Sequence, residues 1–329
     1  MSKRTQGLRR LLAITLAFGL LVAACGDDDS DDASGDSGGS GDAAIEQLDL
    51  SGVSATVGSK DFTENIVLGE IIVQAFEAAG ADVTNEINLG GTSVNRDALL
   101  AGEIDTYAEY NGTGWTVHLG NEDPSSDPDE LTEVVRAADL EENEIHWLGQ
   151  SPFNDTYGFA TGPDLTDENG GPFDLQGMAD YVDENPDATV CMETEFPDRP
   201  DGLVLFEEAT DFEIPQDQIE ILDTGIIYNE TAQGNCDFGE IFTTDGRIPA
   251  LELSIVDDGG AFILYNVSIT MRDDLYQQAP EAFDEIANLI LDPIDNDLMA
   301  ELNSQVDVEG EDAATVAGNY LVDQGLISG

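Results

Sequence analysis

Between residues 53 and 110 the chain switches repeatedly between two hydrophobic periods, and this alternation limits its fold more than any other feature. Residues 53–57 are a short apolar run of strand type. Ser59-Lys60-Asp61-Phe62 then turns, and Asp61 with Glu64 three residues on has the form of a helix N-cap. Ile66, Leu68, Ile71, Ile72, Ala75 and Phe76 recur at helical spacing up to a stop near Gly80. Residues 83–87 read as strand, Gly90-Gly91 as loop, 93–101 as a short helix and 104–110 as strand. The order β-α-β-α-β predicts a parallel sheet with helices on its faces, because parallel neighbours need a crossover to return the chain. The pattern restarts with strands at 188–192 and 219–222, helices at 203–209 and 226–232, and strands at 238–243 and 261–270. Helical periodicity closes the chain at 280–291, 295–306 and 313–324. Two α/β lobes follow, with the chain crossing between them more than once and a ligand cleft at the carboxyl ends of the strands.

The first residues have a different logic. Lys3, Arg4, Arg9 and Arg10 precede an apolar stretch at 11–21. That stretch is shorter than the about 20 residues that span a bilayer. Leu21-Val22-Ala23-Ala24-Cys25 resembles the lipobox of bacterial lipoproteins. By that resemblance residues 1–24 are a signal peptide, and Cys25 becomes the lipidated first residue, tethered to the membrane outside the cytoplasm. Residues 25–52 are rich in Asp, Ser and Gly and read as a flexible, self-repelling linker. The Asp run also raises a calcium-dependent surface protein as an alternative, although it lacks the Gly and terminal Glu of an EF-hand loop.

Beyond Cys25 only Lys60, Arg96, Arg136, Arg199, Arg247 and Arg272 face all 70 acidic residues. Nucleic acid is excluded as a partner, since its phosphates would be repelled. Such a surface looks like adaptation to high salt, where screening acts over a few Å. With Cys25 given to lipid, Cys191 and Cys236 remain as a possible disulfide, two free buried thiols being the other reading.

Lys60, the one lysine after Cys25, stands at a strand-to-helix turn, where an ammonium and a helix N-terminus suit an anion. Arg199 lies in a turn-rich loop, and its guanidinium is suited to forked capture of a carboxylate. Tyr107, Tyr110, Tyr157, Phe242 and Tyr265 stand at or near strand ends. Aromatics there are usually core, but several around one cleft would cage a quaternary ammonium, each contact contributing about 0.5–2 kcal/mol. The chain shows no HExxH zinc site, no GxSxG elbow between a strand and a helix and no P-loop, and His118 and His146 lack a nucleophile partner motif, so an enzyme is not expected and no cofactor is implied.

Six motifs then occur in order: Ser59-Lys60-Asp61-Phe62-Thr63-Glu64; Leu89-Gly90-Gly91-Thr92; Ile104-Asp105-Thr106-Tyr107-Ala108-Glu109-Tyr110-Asn111-Gly112-Thr113; Asn154-Asp155-Thr156-Tyr157; Arg199-Pro200-Asp201-Gly202-Leu203; and Thr244-Asp245-Gly246-Arg247-Ile248. Together they resemble the glycine betaine/choline substrate-binding proteins of osmoprotectant ABC transporters, over about residues 53–325. The resemblance implies a two-lobed periplasmic-binding-protein fold, type II-like, with one lobe from 53–155 and 262–329 and the other from 156–261. It implies an ammonium cage at Tyr110, Tyr157, Phe242 and Tyr265, with Asp155 helping to line it. It places the ligand carboxylate at Lys60, Thr113 and Arg199. The implied ligand is glycine betaine, with choline, carnitine, proline betaine or ectoine as alternatives, and the implied partners are ABC permease and ATPase subunits. Phe242 stands where the family usually has Tyr, and Asn111 where it usually has Thr.

Overall fold

The computed structural model describes residues 43–122 and 124–329. Two mixed five-stranded sheets form two α/β lobes. The first sheet contains β1 (Ser54–Gly58), β2 (Asp82–Glu86), β3 (Thr106–Tyr110), β4 (Ile145–Leu148) and β10 (Val267–Arg272), in the order β2-β1-β3-β10-β4. The second contains β5 (Tyr157–Thr161), β6 (Val190–Met192), β7 (Ile219–Ile221), β8 (Phe238–Phe242) and β9 (Ser254–Ile255), in the order β7-β6-β8-β5-β9.

The sheets are not purely parallel. β1 runs parallel to β2 and β3, but β10 is antiparallel to both β3 and β4. In the second sheet β5 is antiparallel to β8 and β9. The reason is connectivity: β10 re-enters the first sheet from the second lobe, so no helical crossover sets its direction. The strand expected at 261–270 accordingly begins later, at Val267.

Two chain segments cross between the sheets, one from β4 to β5 and one from β9 to β10. They bind each other. Ser151 N–H donates to Val267 O at 2.8 Å, and Asn266 Nδ2 donates to Ser151 O and Phe153 O. Asn154 Oδ1 accepts from Tyr265 N–H at 2.6 Å. The hinge is therefore a paired ribbon, and it carries both Asp155 and Tyr265.

Two local expectations are corrected. The helix α1 (Thr63–Ala78) has Phe62, not Asp61, at its N-cap, with no side-chain cap bond. Glu64 turns inward to Tyr110 and Thr244 instead of closing a capping box. Residues 43–52, expected within the flexible linker, are packed: Ile45 and Leu50 are fully buried. Ile45 N–H donates to Leu326 O, and Leu50 N–H to Ala79 O. The spacing of Ile45, Leu48, Leu50 and Val53 carries this segment onto α1, whereas the Asp-rich stretch before it has no such residues. In the second lobe Cys191 and Cys236 form a disulfide with Cα atoms 5.8 Å apart, inside the usual range. Among the described residues no helix is long and apolar enough to cross a membrane.

Candidate functional site

A cleft of ≈ 570 Å³ lies between the lobes. Lys60 and Phe62 reach it from the turn before α1, Tyr110 and Thr113 from the end of β3, Asp155 and Tyr265 from the hinge, and Tyr157 and Phe242 from β5 and β8. Tyr157 and Phe242 are directly paired across β5 and β8, which puts their rings on one face. Their centroids are 5.2 Å apart. Tyr265 meets Tyr157 edge-on at 5.3 Å. Phe62, which the sequence reading left out of the cage, stacks on Phe242 at 5.2 Å and lies 6.0 Å from Tyr110. Its signal was available as the aromatic two residues after Lys60, but helical periodicity alone treats it as an ordinary cap neighbour. Gly112 lets the chain turn here: a Cβ at that position would lie 2.5 Å from Leu264 O.

The acids behind this wall were also missed. Lys60 Nζ pairs with Glu109 Oε1 at 2.7 Å and sits 5.0 Å from the Tyr110 ring centroid. Glu109 is fully buried and also takes Tyr110 N–H at 2.7 Å, the Tyr107 hydroxyl at 2.8 Å and His118 Nε2 at 2.8 Å. Burial alone would raise its pKa, but Lys60 and His118 outweigh this and hold it well below the usual carboxylate range.

Arg199 does not line the cleft; it stands behind it with all five N–H groups committed. Nε and one terminal nitrogen fork onto Asp201 at 2.8 and 2.7 Å. The same terminal nitrogen reaches Thr113 Oγ1 at 3.2 Å, and the other reaches Thr92 Oγ1 at 3.2 Å and Glu195 Oε2 at 3.5 Å. Thr92 and Thr113 belong to the first lobe, so Arg199 straps the lobes together. On the far side Arg247 pairs with Asp245 of its own loop and with Asp307 at 3.3 Å.

Asp155 belongs to a buried acid pair with Glu64. The Thr244 hydroxyl lies 2.6 Å from Asp155 Oδ1 and 2.5 Å from Glu64 Oε2, and the Tyr110 hydroxyl donates to Glu64 Oε1 at 2.9 Å. Burial, and for Asp155 also the neighbouring Glu64, raises both pKa values, so the pair retains a proton where a free carboxyl would lose it. The cleft wall further includes Asp61, Glu193, Glu195, Asp223 and Asp307 against only Lys60 and Arg247. With the basic groups each held by a carboxylate, the surplus charge facing the cleft is negative. Rings and surplus acid together suit a bulky cation.

Comparison with known proteins bears on the same geometry. Residues 54–323 match the family described as the substrate binding domain of an ABC-type glycine betaine transport system. The glycine betaine-binding protein YehZ of Escherichia coli is 32% identical over 279 residues, 82% of this chain and 90% of that protein. A glycine-betaine-binding protein of Pseudomonas aeruginosa is 30% identical over 82% of this chain and 88% of its own length. The solved structure of apo YehZ superposes with a TM-score of 0.61 at 31% identity, covering 83% of this chain and 99% of that one. A calcium-dependent surface protein finds no support in these matches. Two lobes hinged at a paired ribbon, a ring-lined cleft and a match over nearly the whole described body lead to one conclusion: this chain belongs to the family of substrate-binding domains of ABC-type glycine betaine transport systems.

Proposed function

We propose that this chain captures glycine betaine, or a related quaternary ammonium osmoprotectant, between its lobes and delivers it to a membrane permease driven by a separate ATPase. As the substrate-binding component of an ABC importer it works outside the cytoplasm and with a permease. The observation that carries the ligand reading is the cluster of five rings, Phe62, Tyr110, Tyr157, Phe242 and Tyr265, around one acid-walled cleft. A quaternary ammonium donates no conventional N–H hydrogen bonds, so ring faces and nearby negative charge are what can hold it. Thr113 and the free N–H groups of Lys60 supply donors for a polar tail. The two relatives are named for glycine betaine, which supports it over choline, carnitine, proline betaine and ectoine.

Calorimetric titration with these five solutes in molar salt tests the reading, and glycine betaine is expected to give a saturable heat. Tyr157→Ala is expected to weaken every quaternary ammonium that binds by about tenfold. Heat from none of the five would sink the proposal.

We also propose that Cys25, which lies outside the described residues, carries the lipid that holds the protein at the membrane. Cys25→Ser should then release it into the medium, as read by blotting membrane and culture fractions. A variant that stays with the membrane would refute this. The excess of acidic side chains supports a working environment of high salt, where their mutual repulsion is screened.

A further inference from the structure

Lys60 offers the cleft hydrogen bonds but little net charge. Its ammonium has three N–H groups, of which one is spent on Glu109 at 2.7 Å; Lys60 lines the cleft, and the other two have no acceptor among the described residues. Glu109 itself is out of reach of solvent and is fixed from four directions by Lys60, His118, Tyr107 and the Tyr110 backbone. Its position next to Tyr110 on β3 ties the counter-ion to the cage through one peptide bond. Arg199, the other cation expected to attract a carboxylate, is matched by Asp201 in the same way and has no N–H left over.

We propose that Glu109 is a specificity-determining residue: by neutralising Lys60 it makes the cleft select the ammonium end of its ligand on charge and the other end on hydrogen bonding alone. Resting on the quaternary ammonium reading above, this adds a preference the rings cannot set. Cationic solutes such as choline then compete with zwitterions such as glycine betaine, because the carboxylate of the zwitterion meets an ion pair and not a bare cation. Removing the Glu109 charge exposes that of Lys60 and favours zwitterions. Removing the Lys60 charge exposes that of Glu109 and favours cations.

The test titrates the full chain with glycine betaine and with choline at one pH and salt concentration, and reads the ratio of the two Kd values. Glu109→Gln, which keeps the shape and an acceptor, is expected to shift the ratio toward glycine betaine by about tenfold or more, the scale of one unit charge at an effective dielectric near 20. Lys60→Met is expected to shift it toward choline. Opposite shifts support the proposal. Unchanged ratios, or shifts in one direction for both variants, overturn it while leaving quaternary ammonium capture intact. If Glu109→Gln does not fold, the double variant Lys60→Met with Glu109→Gln, which removes the same donors but exposes no charge, is compared with Lys60→Met: a smaller shift toward choline in the double variant supports the proposal, and an equal shift overturns it. Wild-type protein that binds neither solute overturns the underlying reading and this inference with it.

Discussion

Glu240→Gln raises the melting temperature by roughly 5–10 °C at pH 8 and by little at pH 5. Glu240 lies on β8, fully buried, two residues before Phe242. One of its oxygens accepts from Glu193 N–H at 3.1 Å; the other has no partner among the described residues. Burial, helped by repulsion from Glu193, pushes its pKa up to about 8 from a usual 4.5. Below the lower value both folded and unfolded chains hold the proton, and the group costs nothing. Between the two, the unfolded chain is ionised while the folded one keeps the proton, so stability falls as pH rises, by at most about 1.4 kcal/mol per unit. Above the upper value the full cost, on the order of 3–5 kcal/mol, is present. Glutamine has no proton to lose and no charge to set against Glu193. Melting curves of both proteins at the two pH values measure the difference, and an equal gain at both would rule out ionisation as its cause.

Arg199→Ala weakens glycine betaine and choline by comparable factors and destabilises the protein by about 3–5 kcal/mol. The loss of stability comes from Asp201, almost fully buried and left without its counter-ion. The loss of affinity comes from the strap: with Arg199 gone, the bonds to Thr92 and Thr113 that hold the lobes together disappear whatever the ligand is. Adding Asp201→Asn should recover much of the stability but not the affinity. Denaturant unfolding and calorimetry separate the two effects. A loss confined to glycine betaine would instead place Arg199 on the ligand carboxylate.

Much of the architecture was legible from periodicity. The helices at 280–291 and 313–324 and the early alternation from β1 to β3 follow directly from apolar spacing, because each element buries one face and exposes the other. The direction of β10 was not legible, since it depends on which lobe the chain arrives from, and no local residue records that. Nor was the helix Pro128–Asn143 foreseen: it is highly charged, with few apolar residues to mark its buried side. At the site, residue type pointed to Tyr110, Tyr157, Phe242 and Tyr265 and the family resemblance to Asp155, and all five line one cleft, but neither pointed to Glu109 or Asp201 as counter-ions. Among 70 acids these two carry no signal until folding places them 2.7 Å from a cation. Nor could the sequence show that the donors of Arg199 meet protein acceptors: an arginine in a turn looks the same in sequence whether its donors are free or already taken.

The packing of Ile45 against Leu326 has a mechanical consequence. Glu46 is also joined to Ser328 by two hydrogen bonds, so the chain's entry into the body and its exit meet at one spot beside α1. A pull applied at residue 43 is borne by the first lobe and the end of α1, far along the chain from the hinge ribbon. Among the described residues the second lobe joins the first through that ribbon and the contacts across the cleft, so the path of such a load runs through the first lobe and bypasses the second.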